Sequence, residues 1–189
     1  MSVSTTPEQL RVNGMWRVDP AHSSIEFRVR HLMIESVKGR FLDFDGSIEA
    51  GQSPSIVGSI RVASLNTHHR ERDLHLRSSD FFDAERHPEM LFSSTRLDLA
   101  EDGSLDVAGE LTIKEITRPV RLSGMFHGAG VGVDGSERIA FELRGELNRL
   151  DYDLTWNRLI ETGGIMVGNT VELALDVAAV RDVAVERAA

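Results

Sequence analysis

The chain contains no cysteine in 189 residues, so it has no disulfide framework and no thiolate nucleophile or metal ligand. It has no run of about 18 apolar residues, which excludes a membrane-spanning helix. Positive charge is scarce: 21 Lys and Arg stand against 30 Asp and Glu, for a net charge of −9 and a pI of about 5.2. A phosphate backbone needs clustered Lys and Arg, and an anionic membrane surface needs a polybasic segment. Neither nucleic acid nor that mode of membrane attachment is therefore expected. The first residues, MSVSTTPEQLRVNGMW, lack a basic start followed by an apolar core, so the expected location is cytoplasmic.

What the chain does have is alternation. Ile25, Phe27 and Val29 share one face of a strand, with Glu26, Arg28 and Arg30 on the other, and His31 continues the apolar face. A second strand is expected after Gly39, carrying Phe44, Gly46 and Ile48 inward, with Phe41 out of phase at a bulge. A third carries Ile56, Gly58, Ile60 and Val62. Three more follow in the second half, over Leu105–Ile113, Val120–Phe126 and Ile139–Leu147, and the last runs over Val171–Val177. With a strand resuming near Leu91, this makes about eight short-looped strands, which favours antiparallel pairing. Eight such strands close into a barrel around side chains or one small ligand; a two-sheet sandwich fits the same periodicity. The chain reads as one domain, residues 15–180, between a polar N-terminal arm, 1–14, and a short C-terminal tail, 181–189.

One long segment breaks the pattern: residues 66–92, NTHHRERDLHLRSSDFFDAERHPEMLF. Asn66 or Thr67 is a candidate cap for a helix running to about Ser78, with Glu71 suited to its first turns. Being mostly charged, that helix is expected on the surface, with Leu74, Phe81 and Phe82 forming an apolar edge. The segment is expected to cover one end of a barrel. A second irregular connection, residues 148–169, carries Tyr152, Trp156 and a turn at Gly163-Gly164.

Five glycines, Gly46, Gly58, Gly109, Gly124 and Gly145, fall on the inward parity. Glycine inside a strand needs a reason; bending at barrel corners and interior space are both available here. The interior would be lined by Phe, Leu, Ile and Val, which suits an apolar guest. Chemistry-bearing patterns are weak by comparison. His68, His69, His75 and Glu71 lack metal-ligand spacing, so no metal is expected. Gly130, Gly132 and Gly135 spell G-x-G-x-x-G but lead into a strand rather than a helix, so they read as a hairpin loop. Asp80, Asp83, Glu85 and His87 have no paired nucleophile. No catalytic constellation and no cofactor is expected.

Three stretches carry a family resemblance. WRVDPAHSSIEFRVRHLMIESVKGRFLDFDGSI resembles the opening of the YceI-like family, and HLRSSDFFDAERHPEMLFSSTRL and GELTIKEITRPVRLSG resemble its middle and later signatures, in the family's order. The resemblance implies an antiparallel β-barrel of lipocalin type with an elongated apolar cavity. It implies binding of a polyisoprenoid or similar long amphiphile, such as a prenyl quinone or prenyl phosphate, and makes a homodimer plausible. Members of the family are often periplasmic, and this sequence departs from them in showing no signal.

On this reading Phe27, Val29, Phe44, Ile60, Phe126, Phe141 and Leu173 are placed on the cavity wall by parity. Leu74, Phe81, Phe82 and Phe92 would close its mouth, and Trp156 and Met166 join from the second connection. Candidates for the head group are His31, Arg70, Arg77 and His87, cations or donors suited to a phosphate or a quinone oxygen. Two other readings stand beside the carrier: a solid barrel serving as a protein-interaction module, and an enzyme using the barrel interior with His31 as acid or base.

Overall fold

The computed structural model describes residues 12–32, 34–158 and 166–183. Most of the expected arm and tail, and the Gly163-Gly164 turn, lie outside these residues.

The alternating segments form a closed eight-stranded antiparallel barrel with one short helix. In chain order the strand segments are β1 (Gly14–Val18), β2 (Ser24–His31), β3 (Glu35–Phe41), β4 (Phe44–Ala50), β5 (Ser55–Arg61), β6 (Leu65–Asn66), β7 (Glu89–Leu99), β8 (Ser104–Ile113), β9 (Ile116–Val131), β10 (Glu137–Asn148) and β11 (Val167–Arg181). Helix α1 (Arg70–Arg77) lies between β6 and β7. The eleven segments make eight staves because three staves are broken. β1 and β2 both pair with β11, through Trp16↔Arg181 at one end and Phe27↔Leu173 at the other. β3 and β4 follow on from one another, and so do β5 and β6, which pair with them through Ile48↔Ile56 and Phe41↔Leu65. Around the barrel the order then runs β7, β8, β9, β10, β11, and the β1–β11 pairing closes it. Closure removes the free sheet edges that a sandwich would leave.

Two expectations are corrected here. Phe41 is not a bulge inside one strand. It ends β3, and a bend at Leu42–Asp43 separates it from Phe44; three residues apart, both rings turn inward and are buried. The second strand also begins before Gly39, at Glu35, as a hairpin partner of β2 with Val29↔Val37 and Phe27↔Gly39.

The β8–β9 hairpin turns through Lys114 and Glu115, both at positive φ (50° and 66°), a type I′ geometry without its usual glycine or asparagine. Of the glycine-rich 130–135 segment, Gly130 ends up in strand β9, paired with Arg138, and Gly132 and Gly135 lie in the hairpin loop between β9 and β10, closed by Gly132 N–H donating to the Ser136 carbonyl at 2.8 Å.

The core falls into two clusters. One, towards the β1 end, gathers Trp16, Ile48, Leu105, Val107, Leu122, Phe126, Ile139, Phe141, Leu143 and Ala179 from strands alone. The other, towards α1, gathers Phe41, Val62, Leu65, Phe81, Met90, Ile113, Tyr152 and Leu154, half of them from turns and loops.

Candidate functional site: an apolar lumen

An apolar cavity of about 220 Å³ runs between and beside these clusters, against ~10–15 Å³ for a single water. Every strand but β6 contributes to its wall. Along β11 alone the lining extends from Val167 to Val177, with an irregularity between Val167 and Val171 where four residues of β11 stand opposite two of β2. About eight regular steps cover about 26 Å of strand at ~3.3 Å each, or ~20 Å along the axis at a strand tilt of ~40°.

Most of the residues placed on the wall by parity are there. Phe27, Val29, Phe44, Ile60, Phe141 and Leu173 line the cavity, as do Phe81 and Phe82 from the loop after α1; Phe92, expected at the mouth, lines it from strand β7 instead. Phe126 is buried in the strand-built cluster and does not line the lumen. Leu74 is 57% exposed on the outer side of α1; Leu76, two residues on and about 200° round the helix, lines the cavity instead. Trp156 stands behind the wall, edge-on to His75 at 4.6 Å and 5.3 Å from Phe81. Met166 is half-buried, and its carbonyl accepts from Leu32 N–H at 2.8 Å.

Helix α1 starts later than expected. Asn66 Oδ1 accepts from His68 N–H, Thr67 is engaged by Asp73, and His68 takes φ 59°, so the chain reverses before the helix begins. The N-cap is His69, whose Nδ1 accepts from Arg72 N–H at 3.3 Å. The helix is also not simply a surface helix. Asp73 is buried and accepts from Thr67 N–H (2.8 Å) and Thr67 Oγ1 (2.6 Å), while Arg72 Nε donates to Thr67 Oγ1 (2.7 Å). These bonds anchor α1 across the barrel end, so an eight-residue helix, too short to be stable alone, can hold Leu76 inward.

The head-group candidates do not line the lumen. His31 is half-buried with Nδ1 3.9 Å from Glu35. Arg70 is the exposed first residue of α1. Arg77 folds back to donate to the Leu65 carbonyl, and His87 lies 3.9 Å from Glu115. All four stand on segments at the α1 end. His75 pairs with Asp80 at 2.8 Å, and among the described residues no three His, Asp or Glu side chains converge as metal ligands.

The residue that sequence reasoning missed is Arg149, which lines the cavity although only 3% exposed. Its Nε donates to the Gly168 carbonyl (2.9 Å), Nη1 to the carbonyls of Leu154 and Trp156, and Nη2 to Val167 (3.2 Å). Burial pulls its pKa below the ordinary guanidinium value. The guanidinium is thus spent on backbone, and its stem faces the lumen. Beside it Tyr152 is 1% exposed, and its hydroxyl has no hydrogen-bond partner among the described residues. Burial, and secondarily the neighbouring Asp151, push its pKa up to about 12. Among the described residues the lumen therefore offers dispersion and hydrophobic contact, with no free donor or acceptor directed into it.

The YceI-like domain model matches residues 16–179. A UPF0312 protein of Staphylococcus aureus (strain MSSA476) is 35% identical over 159 residues, spanning 82% of this chain and 90% of its own. Among solved structures, the Campylobacter jejuni YCEI protein superposes with a TM-score of 0.70 at 29% identity, covering 81% of this chain and 90% of that one. BcnA of Burkholderia cenocepacia gives a TM-score of 0.73 at 20% identity, covering 85% and 98%. A polyisoprenoid binding domain from Saccharophagus degradans gives 0.66 at 15%, covering 88% and 98%. The last two likenesses concern the fold. The barrel architecture and the domain match together place this chain in the YceI-like family.

Proposed function

We propose that this protein binds a single long apolar chain, a polyisoprenoid or similar amphiphile, in the lumen of its barrel. The observation that carries this is a wall apolar along about 20 Å of axis, with Arg149, the one buried cation among the described residues, already spent on carbonyls. Such a cavity stays dry, and a dry void forfeits packing energy unless a guest fills it. Each methylene entering it contributes roughly 0.8 kcal/mol, so affinity needs no polar recognition of the tail. A polar head group buried inside would find no partner and would cost about 1–3 kcal/mol. The head group accordingly lies outside the lumen at the α1 end, where His31, Arg70, Arg77 and His87 supply cations and donors for a phosphate or a quinone oxygen. The name of the Saccharophagus relative's domain, polyisoprenoid binding, agrees with this choice of chain.

The open lumen weighs against a solid interaction module. A catalytic role for His31 finds no support, since His31 does not face the lumen and its carboxylate neighbour is 3.9 Å away and 67% exposed. The test is native mass spectrometry of protein purified without detergent, followed by organic extraction. One bound species with a long hydrocarbon tail is expected. A clean apo mass with no uptake of added prenyl alcohols or prenyl phosphates would overturn the proposal.

A further inference from the structure

We infer that Gly39 and Gly109 set the width of the lumen, by giving the rings of Phe27 and Phe92 a place to lie against the wall. Phe27 and Gly39 are direct cross-strand partners. A Cβ added at Gly39 would stand 2.3 Å from Phe27 Cζ and 2.6 Å from Cε1. The ring tip therefore crosses to the neighbouring strand along the wall and occupies the place of the missing side chain. Phe92 does the same diagonally. Its direct partner on β8 is Leu111, two positions from Gly109, and a Cβ at Gly109 would stand 2.5 Å from Phe92 Cζ and 2.6 Å from Cε2, as well as 2.7 Å from the Ser93 carbonyl oxygen, so this glycine also lets the strands approach. Diagonal neighbours on one sheet face are within reach of an aromatic ring, and rings covering strand glycines are a known stabilising arrangement.

The partner on the other side of Phe92 shows what this achieves. Gly58 on β5 pairs directly with Phe92 and with Gly46. A Cβ built there meets only the Asp45 carbonyl oxygen, at 3.4 Å. The Phe92 ring leans away from Gly58 towards Gly109, so the space over Gly58 belongs to the lumen. Gly124 and Gly145 play another part, since a Cβ at either runs into backbone at 1.8 Å and 2.6 Å. Of the inward glycines, then, Gly39 and Gly109 seat rings, Gly58 faces open space, Gly124 and Gly145 permit close strand approach, and a Cβ at Gly46 would stand 3.0 Å from the Val57 carbonyl oxygen. With any side chain at Gly39 or Gly109 the ring must swing off the wall into the bore. The two seats lie one beside each core cluster, Phe27 with the α1-end cluster and Phe92 with the strand-built one, so both halves of the lumen are held open.

This inference rests on the lumen being a chain-binding site and assigns its specificity: the seats admit a chain thicker than an unbranched alkyl chain. Palmitic acid and phytanic acid test it. They share head group and main-chain length and differ by four methyl branches. The wild type is expected to bind both. Gly39→Ala and Gly109→Ala are expected to lose phytanic acid by about tenfold or more while palmitic acid falls by no more than about threefold. Adding Phe27→Leu to Gly39→Ala should restore the branched chain. Variants that keep the wild-type ratio of the two acids, or a Gly39→Ala, Phe27→Leu double variant that restores nothing, overturn the inference.

If the wild type takes neither acid, chain binding itself fails, and xenon-pressurised crystals read the bore independently. Xenon over Gly58 in the wild type and its loss in Gly109→Ala would support the inference; unchanged occupancy would end it. Should an alanine variant fail to fold, Phe27→Leu and Phe92→Leu leave the glycines in place. Each is expected to gain xenon where its ring tip lay, and no gain counts against the seats.

Discussion

The two ends of this barrel are built differently. At the β1 end Trp16, Phe126, Ile139 and Ala179 come from strands, and their side chains fill the interior. The charges there stay outside and are paired: Arg138 donates to Asp19 at 2.8 Å and to Asp134 at 3.3 Å. At the α1 end the interior is closed by Leu76, Phe81, Phe82 and Leu154, which come from a helix and loops. Charge is taken inside there, in Asp73 and Arg149, and is matched to hydroxyl, amide and carbonyl groups rather than to an opposite charge. The difference teaches a division of labour. The strand-built end holds the fold by burial, while the loop-built end holds its shape by hydrogen bonds, because loops bring unpaired backbone groups to a buried place.

Breaking the comparison at its strongest points gives the largest effects. Trp16→Ala removes a side chain 2% exposed in the filled end and is expected to cost about 4 kcal/mol in urea unfolding. Arg149→Met keeps the apolar stem but takes a donor from four carbonyls, of which Val167's keeps Asn157 Nδ2, and should cost about 3 kcal/mol. The two losses should add when combined, since Trp16 lies in the strand-built cluster and Arg149 bonds to carbonyls at the α1 end, with no shared partner. If Arg149→Met were neutral, hydrogen bonding would not be what holds the α1 end.

Tyr152 sharpens the same contrast through pH. It is the chain's one tyrosine, so tyrosinate absorbance reports it alone. Its folded pKa, about 12, lies above the unfolded value of ~10. The sign follows: its contribution is fully present below pH ~10 and is lost as pH rises through about 12. Tyrosinate should appear late or together with unfolding, whereas titration near 10 in a folded barrel would contradict the buried hydroxyl.

Smaller effects follow at the edges. His69→Ala removes the α1 cap and should cost about 1 kcal/mol. At the β1 end, hydrogen bonds from Ser136 and then Arg138 hold the Asp134 carboxyl down at about 2. Its contribution is present above the unfolded value near 3.9 and fades as pH falls towards 2. Because the group is exposed, Arg138→Ala should move the unfolding midpoint little and less still in high salt.

What the sequence showed and what it hid divide along the same line. Period-two alternation was enough to place Phe27, Phe44, Phe141 and Leu173 on the wall, because a strand has only two faces. Glu35–Lys38 escaped because Val37 is its single apolar residue, and pairing with β2 and not burial makes it a strand. Leu74 was placed inward where Leu76 belongs because α1 is eight residues long and its anchors, Thr67 and Asp73, are polar. Arg149 gave no signal, since the carbonyls of residues 154, 156, 167 and 168 that bind it are gathered only by the fold. Parity revealed the inward glycines, but their separate roles depend on which neighbouring ring or backbone each one faces.

The most direct test of the central claim is a ladder of prenyl alcohols of increasing length, titrated into detergent-free apo protein by calorimetry. Affinity should rise with each added unit, by up to roughly 0.8 kcal/mol per buried methylene, and level off once the chain fills the ~20 Å lumen. Affinity independent of chain length, or no binding at any length, would contradict the account.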